Sequence, residues 1–396
     1  MALFEKSEYL SRLERVKDRM EKAGLEVVIV ADPANINYVT GYDAQSYYVD
    51  QAVILALDAE EPLWIGRRMD IACARFTTWL SPQNMVGYSE DMVQSRLTHP
   101  MSYMAGVMKE RGWGKKIVGV EMDAPHFSPR AYEELKAGLP EASFQDARLL
   151  VSWVRNIKSP AEIALMKKAG NVANKVMKAA VDAIQVGARE CDAAAAVMHA
   201  QVAGTDEYGG DYASFVPFFC AGERAAAPHL TWTDDRFVSE TSINIELAGC
   251  VRRYHCPLSR TIYLGKNPPK KLAETAQWTV DALNAELEAI KPGATCEQVD
   301  QAWRKAVSHT DIVKESRTGY AMGLGYPPDW GEHTCCLRPG DRTLLQPGMT
   351  FHVISGIWME DWGFEISESA LVTEAGHALL SNFPRQLILK SEASAR

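Results

Sequence analysis

Residues 243–265, INIELAGCVRRYHCPLSRTIYLG, place one acid, Glu246, and one histidine, His255, in stretches otherwise built like core strands. A carboxylate is rarely left in such a setting unless something compensates its desolvation. Strand alternation puts Asn244, Glu246 and Ala248 on one face, opposite Ile243, Ile245 and Leu247. That face lines a polar cavity or, in the blander reading, a solvated side of a sheet. A second acid, Glu365, follows Trp362-Gly363-Phe364, and His229 follows Pro228 with Trp232 beside it as an apolar wall. Imidazoles titrate near neutrality and suit proton transfer, although His229 and His255 could each equally be satisfied by backbone bonds. Residues 319–331, GYAMGLGYPPDWG, read as a loop from their glycines and prolines. Tyr320, Tyr326, Asp329 and Trp330 make that loop a candidate pocket wall. Aromatic faces beside carboxylates favour a compact organic cation. The chemistry within reach is proton transfer beside a bound cation.

These residues need elements to hold them. Leu10, Leu13, Val16 and Met20 share one face of a predicted helix over 8–23, which Gly24 ends before a buried strand over 27–30. Further strands are expected at 51–57, 63–65 and 117–121, with helices near 101–111 and 129–137; such alternation is an α/β domain, residues 1–158. Ser159-Pro160-Ala161-Glu162 opens a new region, since Pro160 suits a first helical position and Glu162 adds a favourable charge to the first turn. Helices over 161–182, 188–203 and 271–290, and mostly antiparallel strands at 243–249, 258–263, 350–358 and 369–373, make residues 159–396 an α+β domain.

The 396 residues exceed one ordinary domain, and 47% hydrophobic with 23% charged content is that of a soluble globular protein. A net charge of -9 with no basic patch argues against nucleic-acid binding. No apolar run reaches membrane-spanning length, and the start, MALFEKSEYLSRLERV, lacks signal-peptide features. Eight cysteines without a CxxC make disulfides or a zinc cluster unexpected, and together these features point to the cytoplasm. Walker, HExxH, GxSxG and deaminase motifs do not occur, and Gly209-Gly210-Asp211-Tyr212 is a poor nucleotide motif.

Five segments carry a resemblance: Ser46-Tyr47-Tyr48-Val49, Gly209-Gly210-Asp211-Tyr212, residues 227–232 (APHLTW), residues 253–261 (RYHCPLSRT) and residues 326–332 (YPPDWGE). Through them nearly the whole chain resembles the creatinase/aminopeptidase P/prolidase family. The resemblance implies an N-terminal creatinase-like domain and a C-terminal catalytic domain of pita-bread fold. Metallopeptidases of this family hold two metal ions with two aspartates, one histidine and two glutamates. The matching positions here are Glu246, Pro257, Tyr320, Ser355 and Ser367. Proline cannot coordinate through its side chain and serine is a weak ligand, so no metal and no other cofactor is expected. The acids that clamp a guanidinium in creatinase match Ser259 and Ser367, which favours another cation. The implied activity is hydrolysis of a cyclic amidine carrying a carboxylate, ectoine or 5-hydroxyectoine. Glu246 would be nucleophile or base, His229 proton shuttle, and Glu365 the partner of the amidinium. Tyr212, Trp232, Tyr320, Tyr326, Asp329, Trp330 and Trp362 would line the site, and Arg317 or His255 would take the carboxylate. The family further implies a homodimer, with Tyr47, Tyr48 and Asp50 reaching the partner subunit's site. The alternatives are a metal-dependent Xaa-Pro peptidase, a creatinase-like amidinohydrolase and a non-catalytic binding protein for a cyclic cation.

Overall fold

The computed structural model describes residues 2–391. The chain divides into two compact units, Met1–Arg155 and Asn156–Arg396. In the first, α1 (Lys6–Ala23) ends where Gly24 turns left-handed at φ 69°, a conformation that costs glycine little. Then follow β1 (Val27–Val30), α2 (Pro33–Thr40), β2 (Ala52–Ala56), β3 (Leu63–Arg67), α3 (Ile71–Thr77), β4 (Met85–Tyr88), α4 (Pro100–Glu110), β5 (Ile117–Val120), α5 (Pro129–Gly138), β6 (Ser143–Asp146) and α6 (Leu150–Arg155). The strands form a six-stranded sheet in the order β4-β3-β2-β1-β5-β6, with only the β1–β2 and β2–β3 pairs antiparallel.

The second unit opens with α7 (Pro160–Ala183) and α8 (Glu190–Ala203). Ser159 caps α7 in a reciprocal box with Glu162, a motif that stabilises a helix start by about 1 kcal/mol. Then come β7 (Phe218–Ala221), β8 (Thr241–Val251), β9 (Tyr254–Leu264), α9 (Lys270–Ala289), α10 (Cys296–Ala306), β10 (Gly319–Tyr326), β11 (Asp329–Leu337), β12 (Thr350–Trp358), β13 (Gly363–Thr373), β14 (Gly376–Leu379) and β15 (Ile388–Leu389). They build a curved nine-stranded sheet whose main path runs β14-β13-β12-β10-β9-β8-β7. The longest strands, β8, β9 and β13, are buried almost end to end because helices or other strands cover both faces. Helix α7 crosses β8 so closely at Gly249 that a Cβ there would stand 2.1 Å from the Ala169 carbonyl oxygen. Glycine at 249 and alanines at 169 and 173 let helix and sheet meet backbone to backbone. Arg260 on β9 is fully buried, donates to Glu368 at 2.7 Å and also holds the carbonyls of Phe383 and Pro384, fastening the C-terminal segment. Among the described residues no helix is long and apolar enough to cross a membrane.

One sequence expectation is corrected. Residues 319–331 are not a loop: β10 and the start of β11 are a hairpin closed at Pro327-Pro328, with Tyr326 opposite Asp329. The glycines that suggested a loop serve close packing instead. A Cβ on Gly319 would meet the His352 carbonyl at 2.7 Å, and one on Gly325 the Trp330 backbone at 2.8 Å.

Candidate active site

Glu246 on β8 and Glu365 on β13 are both buried and close enough that each perturbs the other's ionisation. The backbone brings them together. Glu246 pairs with Ser259 across β8–β9, and the Thr261 hydroxyl, two residues along β9, donates to Asn244 Oδ1 at 2.8 Å while receiving the Glu365 amide at 2.9 Å. Both acids are therefore fixed by strand register rather than by loops. Burial, then the Glu365 carboxyl, then Asp329 push the Glu246 carboxyl well above the usual range. Burial raises Glu365 to about 7, against the Ser259 hydroxyl, Glu246 and the Lys314 ammonium, which pull it down. Two neighbouring carboxyls in a dry setting cannot both ionise, so the pair holds one proton near neutrality. Asp329 is the third acid. Burial works against its ionisation, but His333 at 2.8 Å and the Gly331 amide at 2.8 Å bring it below its ordinary value. The resulting field favours a cation.

A hydrogen-bonded chain borders the pair. Trp330 Nε1 donates to Tyr320 Oη at 2.9 Å, His352 Nδ1 lies 2.9 Å from the same oxygen, and His352 Nε2 lies 2.7 Å from Ser367 Oγ. The Ser259 amide donates to Ser367 Oγ at 2.7 Å. His352 Nδ1 is 3.9 Å from Glu246 Oε1. Burial, with help from the Arg317 charge, lowers His352 to about 3, so it is a neutral imidazole at any physiological pH.

Aromatic rings flank the acid pair. Phe218 is the ladder partner of Glu246, and Phe215 packs edge-on against Trp330 at 4.6 Å between ring centres. On the other side Gly356 is the ladder partner of Glu365, and the Trp358 ring lies across it, so that a Cβ on Gly356 would fall 2.2 Å from the ring. Lys314 donates to the Gly356 carbonyl at 2.7 Å with its ammonium 4.9 Å from the Trp358 ring centre. Burial brings Lys314 down to about 8, while Glu286, Glu365 and Asp300 favour its charge and Arg304 opposes it. Gly356→Ala should displace Trp358 and destabilise the unit by about 1–3 kcal/mol through overpacking. A shifted tryptophan emission with a lowered melting temperature would show it; unchanged emission and melting would refute the packing argument.

The structure distributes the residues singled out by sequence as follows. Glu246, Glu365, Tyr320, Asp329 and Trp330 converge. Tyr212 and Tyr326 sandwich the Arg253 guanidinium, 3.8 and 5.7 Å from their ring centres. His229 is exposed, its ring 5.9 Å from that of Phe218 and so one side chain removed from Glu246. Trp232 is half-buried on the same segment, and Trp362 lies beneath Lys271 at the β12–β13 turn. Arg317 is exposed and stacks 4.2 Å over the Tyr320 ring. His255 is fully buried, its Nε2 receiving the Ser214 amide at 3.0 Å and its Nδ1 facing the Gly323 carbonyl at 3.3 Å; burial lowers it to about 4. With both nitrogens engaged it is a packing histidine. In the N-terminal unit, Tyr47, Tyr48 and Asp50 line a cleft of about 400 Å³ with Tyr88 and His126. Sequence reasoning passed over His352, Phe215, Phe218 and Lys314. For His352 the available signal was a lone imidazole in the strand Thr350-Phe351-His352-Val353, the same signal that flagged His255.

The donor set does not fit a pair of divalent ions. Pro257 offers only a carbonyl, which accepts the Ser369 hydroxyl at 2.7 Å. Ser367 Oγ and Tyr320 Oη each already have two hydrogen-bond partners. Ser355 points the other way, receiving the Trp303 indole N–H, while Ile354 stands opposite Ser367. Among the described residues no group of three or more His, Cys, Asp and Glu side chains could hold a metal ion.

An α/β unit followed by a unit of helices on a largely antiparallel nine-stranded sheet is the architecture of the creatinase/M24 class of hydrolases. Residues 12–157 match the Creatinase/Prolidase N-terminal domain and residues 164–374 match Metallopeptidase family M24, so the chain belongs to this family. It is 41% identical over 394 residues to an ectoine hydrolase of Halomonas elongata, covering 98% of each chain. It is 44% identical over 387 residues to an uncharacterized hydrolase/peptidase of Sinorhizobium fredii, again covering 98% of each. In structure it resembles the dipeptidase PepE from Mycobacterium ulcerans with a TM-score of 0.81 at 22% identity, over 98% of this chain and 99% of that one. That likeness concerns the fold.

Proposed function

We propose that the protein hydrolyses the cyclic amidine ring of ectoine to N-acetyl-2,4-diaminobutyrate with carboxylate and phenol groups in place of metal ions. The buried Glu246–Glu365 pair carries this reading. It offers negative charge to an amidinium and a carboxylate oxygen to its electrophilic carbon, among aromatic rings suited to a small cation. The 41% identity to an ectoine hydrolase supports the choice of substrate. Glu365 pairs with the amidinium. Glu246 adds to the amidine carbon, or takes a proton from the water that does. One ring C–N bond then breaks and its electron pair leaves with nitrogen. In the first route water attacks the acyl carbon of the Glu246 adduct, so that a Glu246 oxygen leaves as the acetamide oxygen and water restores the carboxylate; in the second water itself supplies that oxygen. Arg317, exposed and stacked on the Tyr320 ring, would take the substrate carboxylate, and His229, also exposed, would exchange protons with solvent. In a homodimer Tyr47, Tyr48 and Asp50 would extend the partner subunit's site.

Chelator-treated protein incubated with ectoine should yield N-acetyl-diaminobutyrate by mass spectrometry, at a rate unchanged by added manganese. Manganese-dependent cleavage of Xaa-Pro dipeptides without ring opening would overturn the reading. So would tight ectoine binding with no product.

A further inference from the structure

We propose that Tyr320 is the proton donor to the nitrogen that departs when the ring opens, held in that role by His352 and Ser367; this rests on the hydrolytic reading above. The direction of the hydrogen-bonded chain follows from its fixed ends. The Ser259 amide can only donate, and it donates to Ser367 Oγ at 2.7 Å. Ser367 is fully buried, so its own proton needs an acceptor, and among the described residues His352 Nε2 at 2.7 Å is the one it reaches. Nε2 must then be bare and Nδ1 protonated, which makes His352 a donor to Tyr320 Oη at 2.9 Å. Trp330 Nε1, also a pure donor, meets the same oxygen at 2.9 Å. Two donors occupy the acceptor capacity of Oη and leave its O–H free for something outside the chain. The opposite tautomer would strand the Ser367 proton in the interior without an acceptor.

His352 links the Tyr320 hydroxyl to the neighbourhood of Glu246. Its Nδ1, the hydroxyl's hydrogen-bond partner, is 3.9 Å from Glu246 Oε1, and Glu246 acts electrostatically on the phenol. Burial and that neighbouring acid keep the phenol protonated in the free protein, so it meets substrate as a donor. When the C–N bond breaks, nitrogen takes the phenolic proton. The phenolate left behind is the group that the indole N–H and imidazole N–H are already aimed at, an oxyanion cradle that costs no reorganisation. The attacking water restores the phenolic proton, directly or through Glu246, so atoms and charge balance without another reactant. His352 and Ser367 touch no reacting atom; they are positioning residues.

Two measurements test this separately. In wild-type protein, nitrogen-15 spectra of the His352 ring should show a protonated Nδ1 and a bare Nε2 across the neutral range, and the Ser367→Ala variant should lose that preference. A protonated Nε2 in wild type would overturn the directed chain whatever the substrate is. Tyr320→Phe should lower kcat on ectoine about a hundredfold or more with KM within a few-fold. Calorimetric titration with ectoine and a melting curve establish that the variant folds and binds. If wild type opens the ring and a folded Tyr320→Phe retains kcat within threefold, the donor role falls while ring opening stands. If wild type opens no ring, the hydrolytic reading falls and this role with it, while the tautomer result stands by itself.

Discussion

Glu246→Gln should cut turnover of ectoine by about a thousandfold or more while making the free protein harder to melt above neutral pH. The first effect follows under either chemistry, because an amide neither attacks an amidine carbon nor takes a proton from water. The second follows from the acid pair. Burial first, then the Glu365 charge, raises the Glu246 carboxyl well above its ordinary value. An acid raised in the folded state contributes stability that is fully present below its unfolded pKa and lost as pH rises through the folded one. Wild type therefore loses stability as the pair ionises, with Glu365 titrating at about 7, whereas glutamine stays neutral throughout. The stability advantage of the variant should grow between acid and mildly alkaline buffer, reaching roughly 1–3 kcal/mol. Retained turnover would remove Glu246 from the chemistry; a variant less stable than wild type in alkaline buffer would contradict the shared proton. Single turnover of wild type in heavy-oxygen water adds a third readout: label in the Glu246 carboxylate requires that its own oxygen left with the product.

Period-two alternation around residues 243–249 was enough to put Asn244 and Glu246 on one face, because strand pleating depends on local sequence alone. The capping signal at Ser159 and Pro160 likewise needs nothing beyond its own turn, and it marks the start of α7. The hairpin at 319–337 defeated the same reasoning. Glycines at 319, 323 and 325 look like flexibility from sequence, but they are there because His352, Glu332, Lys158 and Trp330 pack where a Cβ would stand. Lys158 and His352 are well removed along the chain, and Trp330 and Glu332 come into contact only once the hairpin has closed, so local glycine content does not reveal the crowding. His352 and His255 show the limit for side chains. Both are lone imidazoles in apolar strands, and only tertiary contacts separate them: His255 is satisfied by Ser214 and the Gly323 carbonyl, His352 by the site's own Tyr320 and Ser367. Ser355, which the family resemblance matched to a ligand position, faces Trp303; in a strand one residue is the difference between that side and the side of the acids.

Glu365→Gln should raise KM for ectoine about a hundredfold and, unlike a merely structural lesion, move the acid limb of the kcat profile to lower pH. The KM effect is the loss of a buried charge-assisted contact with the amidinium; truncating one partner of such a pair costs about 2–5 kcal/mol. The pH effect has the opposite character, since it is a gain. In wild type the Glu246 carboxyl must ionise against the Glu365 charge, with Asp329 adding to the repulsion. With glutamine at 365 the largest repelling charge is gone and the amide can donate to a Glu246 carboxylate, so Glu246 ionises more readily. Lys314 moves the same way: its buried ammonium, which now has Glu365 among its favourable neighbours, is left nearer to Glu286 and Asp300 alone and should titrate lower still. Both shifts come from one deleted charge, and the Glu246 shift is readable from the pH dependence of kcat, whose acid limb then moves to lower pH. An acid limb that stays in place would show that Glu246 does not titrate against Glu365. An unchanged KM would place the amidinium elsewhere in the site, with Asp329 the remaining ionised acid able to hold it.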